Sequence, residues 1–322
     1  MESRMDLRKL RYFAAIADAG SFTAASKLLG IAQPALSQHI KSLEGELGAQ
    51  LLERGVKGVR LTHAGAAALD HVRVVLRDIE RVHEAVDIRG VEIEGRVAIG
   101  LPTTVAEIFA GPFLREAFAQ YPGISLHLVE THSGYLREWV DSGRVDLAML
   151  FNVTAAAGLN VTPMLVEDIH LISGAGGRCV EYYVTVQECL ALDLLMPSQP
   201  HGLRRMLDDR ASVISGEGPR IRAEVDALPT LKRLVEEGLG HTLLPLAAVL
   251  REIEAGSLVA RRVIDPSLER YLALVSRSSQ PQTRAQQAIA KLALIVARHL
   301  IEIGVWPAKL VARAETDLLS TH

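Results

Sequence analysis

Cysteine is almost missing: Cys179 and Cys189 are the only two in 322 residues. That excludes a disulfide framework and points to a reducing compartment. Long apolar runs are missing as well, none reaching the roughly 18 residues a membrane helix needs. The opening MESRMDLRKLRYF has no apolar core with a small-residue cleavage site behind it. The expectation is a cytoplasmic protein with no membrane partner. An excess of one charge sign is lacking too, the net charge being −3, with 49% hydrophobic and 23% charged residues. That composition is globular, not disordered or collagenous. Motifs of catalysis are absent: there is no GxSxG, HExxH, GxxxxGK[ST] or GxGxxG, and SGAGGR at 173–178 lacks the remainder of a phosphate loop. Eleven histidines are scattered, and His127 with His132 lacks a third ligand at metal spacing. No enzyme, metal or cofactor is expected.

What is present is length and asymmetry. A chain of 322 residues exceeds what one core usually supports, so several domains are expected. Residues 1–62 hold nine Lys and Arg against six Asp and Glu, which leaves 26 against 32 for the remainder. The basic excess sits at the N-terminal end but is too small to imply nucleic acid unaided.

Four segments follow one another, with a shift of composition at Gly90. Residues 1–50 read as helical. LLERGVKGVRLT follows, then a long helix from about Thr62 to Ile88, then alternating strands and helices from Arg96 to about Ile303. In the long helix Leu69, Val72, Leu76, Ile79, His83 and Val86 alternate spacings of three and four. Such a stripe is a coiled-coil seam, which predicts a connector that pairs with a second copy. Beyond it RVAIGL, ISLHLV, VDLAML and LDLLM alternate with AEIFAGPFLREAFAQY and LPTLKRLVEEGLG. The alternation predicts βαβ units with mostly parallel sheets in two lobes, whose carboxyl edges face a cleft. Gly304–His322 carries no pattern.

The stretch SFTAASKLLGIAQPALSQHIKSLEGELG breaks one helix only to begin another. Phe22, Ala25, Leu28 and Leu29 share a face behind Ser21 as N-cap, and Gly30 ends the helix. Pro34 suits the first turn of a second helix whose buried stripe is Leu36, Ile40, Leu43 and Leu47. Outside remain Gln33, Ser37, Gln38 and Lys41, with no acidic residue before Glu44. That face fits a DNA major groove. A plain helical hairpin with a solvated face is the alternative. The next stretch decides, because Arg54, Lys57 and Arg60 around Gly55 and Gly58 make a basic hairpin able to reach phosphates or the minor groove. The pattern is that of a winged helix-turn-helix.

LRYFAAIADAGSFTAASKLLGIAQPALSQHIKSLEGELGAQLLERGVKGVRLTHAG closely resembles the N-terminal domain of LysR-type transcriptional regulators. GLPTTVAEIFAGPFLREAFAQYPGISLHLVETHSGYLREWVDSGRVDLAML and EVDALPTLKRLVEEGLGHTLLP resemble the effector domain of that family, most like its nitrogen-assimilation-control subgroup. The resemblance implies an α/β protein overall: a winged helix-turn-helix (5–62), a linker and dimerisation helix (63–90), and a two-lobed effector domain similar to periplasmic solute-binding proteins (95–303). Lobe 1 would take about 95–164 and 268–303, lobe 2 about 165–267, and 304–322 would be a tail. It implies promoter DNA, a small-molecule effector, RNA polymerase and a second or fourth copy of the chain as partners, in activation or repression. Carried over, Gln33, Pro34, Ser37 and Gln38 read bases, Lys41, Arg54, Lys57 and Arg60 meet phosphate or minor groove, and Ser21 and Thr23 complete the set. Many members have Arg where Gln38 stands, so a guanine contact gives way to a preference for adenine.

In the family fold the strand-end loops of the lobes line the cleft. Pro102, Thr103 and Thr104 open a helix whose free N–H groups favour an anion such as a carboxylate. His132 and Ser133, Phe151 and Asn152 follow the next two strands, and His201 follows Pro197 in the other lobe. Helix capping by Thr103, Thr104 or Ser133 and core packing of Phe151 are the plain alternatives. Asp226, before Ala227 and Pro229, is expected to cap a helix. Two other functions stay open: a regulator that needs no effector, and a solute-binding transport component, which residues 1–90 and the lack of a signal peptide oppose.

Overall fold

The computed structural model describes residues 6–55, 58–86, 93–153, 158–176, 181–199, 201–214, 216 and 218–311. They fall into two compact units, Met1–Gly90 and Val91–His322.

In the first unit α1 (Leu7–Ala19), α2 (Phe22–Leu29) and α3 (Gln33–Leu47) precede a hairpin of β1 (Leu52–Gly55) and β2 (Gly58–Leu61), and α4 (His63–Val86) closes it. The Ser21 hydroxyl caps α2 by accepting the Ala24 N–H at 2.9 Å. Gly30 ends α2 at φ +66°, a left-handed turn that costs glycine nothing. Pro34 lies in the first turn of α3, where a missing N–H has no partner to lose.

Phe13, Ile16, Phe22, Ala25, Leu36, Ile40 and Leu43 form the core. Two expected members stand outside it. Leu28 is 76% exposed because it sits about a quarter of a turn off the face shared by Phe22, Ala25 and Leu29, and Leu47 is 39% exposed because α3 runs past the edge of the core. Leu69 and Val72 of the expected seam are buried in this same core, with Leu76 packed on its edge. The first half of α4 is therefore held by its own unit, against α1 and with an Arg73–Asp18 ion pair, while Val75 and Val82 face outward. The side chains of His83 and Val86 lie outside the described residues. A Cβ on Gly65 would come 1.9 Å from the Leu51 carbonyl oxygen, so only glycine lets α4 start this close to the base of the hairpin.

The second unit runs β3 (Gly95–Leu101), α5 (Thr103–Gln120), β4 (Ile124–Glu130), α6 (Ser133–Asp141), β5 (Leu147–Phe151), β6 (Leu159–Gly174), β7 (Tyr183–Thr185), α7 (Val186–Leu190) and β8 (Leu194–Met196). It continues with α8 (Gly202–Ile214), β9 (Ile221–Glu224), α9 (Leu228–Glu236), β10 (Thr242–Pro245), α10 (Leu250–Glu254), β11 (Leu258–Ile264), β12 (Glu269–Arg277), α11 (Arg284–Glu302) and β13 (Lys309–Leu310). One sheet has the order β4-β3-β5-β12-β6-β11-β7, with β10 and β13 also joined to β6, and β8 pairs β9 apart from it. The expected mostly parallel arrangement gives way to a mixed one. Strands joined through helices, β3 with β4 and β5, are parallel. By contrast β6 carries the chain out of one core and β12 brings it back, so β12 pairs antiparallel with β6 from Leu159 to Asp168.

One core gathers Val97, Phe109, Phe113, Leu165, Leu272 and Ile289, and a second gathers Ile169, Leu171, Leu207, Leu231 and Val263. Leu136, Val140, Ala148 and Val275 cover the opposite face of the first sheet. Strand β6 thus contributes to both cores. Between them it carries Glu167, 1% exposed, whose carboxylate accepts from Arg270 Nε at 2.8 Å and from Trp306 Nε1 at 2.7 Å. The segment expected to be patternless therefore begins with structure. Trp306 is 1% exposed in the first core, and β13 pairs with β6 at Leu165 and Val166. Residues 312–322 lie outside the described residues.

Candidate nucleic-acid interface and ligand cavity

In the first unit, burial of Leu36, Ile40 and Leu43 turns Gln33, Pro34, Gln38 and Lys41 of α3 outward, all exposed, with Ser37 half-buried beside them. Exposed Thr23 bonds Gln33 Oε1 at 3.4 Å, joining the head of α2 to the head of α3. Ser21 is engaged as the α2 cap. The first acid of α3, Glu44, is turned inward: its Oε1 accepts the N–H groups of Leu51 and Leu52 at 2.8 and 3.1 Å. The outer face of α3 up to Lys41 is thus free of acids, which suits a surface that must approach phosphates. Lys9 engages Glu46 and Ser42, fastening α1 to the far end of α3. In the hairpin Arg60 is exposed opposite Glu53. Lys57 and the side chain of Arg54 lie outside the described residues.

In the second unit, all eight residues expected at the effector site line one cavity of about 600 Å³: Pro102, Thr103, Thr104, His132, Ser133, Phe151, Asn152 and His201. Strand–helix junctions make it. Helices α5, α6 and α8 begin at its wall, so their unpaired N–H groups and positive ends are directed to it. Helix capping does not explain these side chains. The N-caps are Pro102 for α5 and His132 for α6, neither with a side-chain capping bond, and Ser133 is the first residue of its helix.

Thr104 accepts from Arg270 Nη2 at 2.7 Å, and the Arg270 guanidinium lies 3.6 Å from the centre of the Phe151 ring. Phe151 is thus a platform for a buried cation and packs only partly on the core. Burial pulls the Arg270 pKa down against the opposing pull of Glu167, without approaching loss of the charge. Thr103 bonds Glu130, a carboxyl whose pKa burial and the nearby Glu107 push up. Asn152 stands at φ 52° and exchanges bonds with the backbone of Tyr271 at 2.8 and 2.9 Å, which fixes the end of β5 to β12. The rings of His132 and His201 meet at 4.8 Å. Burial, then the nearness of His132 and Arg270, bring the His201 pKa down to about 4.

Asp226 does not cap α9, whose N-cap is Ala227. It accepts both the N–H and the hydroxyl of Ser198 at 2.8 Å, and those bonds hold its carboxyl below the usual range. Sequence reasoning missed Arg270, Glu269 and Tyr271, which arrive on the returning strand β12, and Arg205, Asp209 and Arg210 on α8. Among the described residues no group of three or more His, Cys, Asp and Glu could hold a metal ion, and no helix is long and apolar enough to cross a membrane.

Two family models match the chain, "Bacterial regulatory helix-turn-helix protein, lysR family" over residues 7–66 and "LysR substrate binding domain" over residues 91–297. It is 32% identical over 301 residues to the nitrogen assimilation regulatory protein nac of Klebsiella aerogenes, covering 92% of this chain and 97% of that one. It is also 32% identical over 289 residues to the probable hydrogen peroxide-inducible genes activator of Streptomyces viridosporus, covering 88% and 92%. Among solved structures, the oxidized form of Corynebacterium glutamicum OxyR is similar with a TM-score of 0.52 at 26% identity, covering 95% of this chain and 96% of that one. Full-length CbnR complexed with its target DNA shares the fold with a TM-score of 0.66 at 21% identity, covering 92% and 99%. The N-terminal match sets aside a solute-binding transport component. The chain belongs to the LysR family, DNA-binding transcriptional regulators and not enzymes.

Proposed function

We propose that this regulator works in the cytoplasm as a dimer or tetramer, reads its operator through Gln33, Pro34, Ser37 and Gln38, and anchors itself by Lys41, Arg54, Lys57 and Arg60. A small anion, such as a carboxylate, fills the cavity of the second unit and alters its action at the promoter. Residues 5–62 bind DNA, 63–90 pair with a second copy, and 95–303 bind the effector. The observation that carries the reading is the convergence of three helix N-termini on a cavity lined by the eight residues from Pro102 to His201.

Isothermal titration with candidate acids, repeated on Thr103→Ala, tests it. Weaker binding in the variant is expected, and unchanged binding removes Thr103 from the site. Mapping of genomic fragments retained by wild type and by Gln38→Ala tests the other half. A shared inverted-repeat motif is expected to blur in the variant. A regulator without an effector is the second reading, favoured by one fact: Arg270, the deepest cation of the cavity, already has Glu167 and Thr104 as partners. Absence of any ligand that alters promoter binding would favour it.

A further inference from the structure

The rings of His132 and His201 stand nearly perpendicular on the cavity wall, and their nitrogens are not equivalent. His201 Nδ1 accepts the Leu203 N–H at 3.2 Å, which places its own hydrogen on Nε2. His132 Nδ1 is buried without a hydrogen-bond partner, at the head of α6. An unpaired buried nitrogen is costly, and the ring that carries it lines the cavity, so a turn of that ring is what brings Nδ1 to a partner there. Three helix N-termini select an anion for that space. An oxyanion offers acceptors only, so His132 can meet it at Nδ1 only with a hydrogen there.

Resting on the reading of the cavity as an anion site, we propose that the anion enters together with a proton taken up by the His132–His201 pair, so that effector affinity rises as pH falls. The charged groups around the pair explain why anion and proton come together. Arg270 faces it from β12 and Asp226 from the turn before α9, where Ser198 holds its carboxylate. Arg205, Asp209 and Arg210 of α8 and Glu269 of β12 share the cavity wall. In the empty cavity burial, with the nearness of His132 and Arg270, holds the His201 pKa down to about 4. An anion offsets that repulsion and accepts from the new N–H, which raises the affinity of the pair for a proton.

The full chain is titrated with sodium sulfate, whose own protons are gone throughout, in pairs of buffers of different ionisation enthalpy from about pH 5 to about pH 8. The expected heats differ between buffers by the amount for about one proton taken up, and affinity falls by up to about tenfold per pH unit. His132→Gln is expected to bind more weakly with no pH dependence. So is His201→Asn, whose side-chain oxygen still accepts from Leu203. Binding with equal heats in both buffers overturns the proton and leaves the anion cavity standing. A slope unchanged in both variants overturns its assignment to the pair. Sulfate that binds at no pH overturns the anion reading, and this inference with it.

Discussion

Gln38 stands exposed on α3 with Lys41 one turn further on, and the two do different work at a groove. An amide pairs with the N6 and N7 edge of adenine, whereas an ammonium meets phosphate whatever the base. Gln38→Ala is therefore expected to relax preference at one half-site position by roughly 1–3 kcal/mol, and Arg60→Ala to weaken all sequences alike. Selection from a randomised half-site checks both, and equal loss across sequences for Gln38→Ala would refute its reading role. Cys189 is fully buried, and burial pushes its thiol up to about 12. It should resist alkylation in the native protein at neutral pH, as peptide mapping after brief treatment would show. His201 gives a signed pH effect. Its folded pKa of about 4 lies below the ordinary 6.5, so its contribution to stability is intact above about 6.5 and lost as pH falls towards 4. Without ligand the loss is on the order of 3 kcal/mol, read as a falling urea midpoint that flattens in His201→Asn. A midpoint that rises on acidification would sink the assignment. Residues such as Gln38 and Thr103 were legible in the sequence because each sits at a punctuated junction, Pro34 or Pro102. Arg270 was not, since nothing local marks a strand residue whose partners lie 103 and 166 positions away.

Among the strands and helices, the crossing of β6, β12 and β13 is the place where a small change should cost most. Trp306→Phe keeps most of the ring volume but leaves a lone pair of the Glu167 carboxylate unfilled, so a loss of about 1–3 kcal/mol is expected. Trp306→Ala adds a cavity, for about 3–5 kcal/mol in all. Arg270→Met should cost a similar 3–5 kcal/mol by leaving the Glu167 charge unpaired in the core. Urea denaturation of the three variants ranks them, and a Trp306→Ala protein as stable as wild type would mean that the segment is not held where it is seen. The helices were the readable part, because their apolar period, caps and Gly30 are local signals. The direction of β6 and β12 was not, because a strand carries no mark of which neighbour it will pair with.

For the assembled regulator, the part of α4 left open by its own core is what a second copy can use. Val82 is 62% exposed and Val75 42%. Val82→Asp is expected to shift the dimer to monomer without unfolding the first unit, and with it to lose tight operator binding, as light scattering and a binding titration would show. A monomer that still binds tightly would break that link. The seam read from sequence placed Leu69 and Val72 at such an interface. Periodicity records which face of a helix is apolar, but not whether its own domain or another chain covers it. The position of Trp306 finally matters to anyone who wants the ligand-binding half alone, for example as a biosensor. A fragment ended at Ile303, where the repeating pattern of the sequence stops, would fold around a hole the size of an indole with a stranded carboxylate at its edge. The usable piece has to reach Val311.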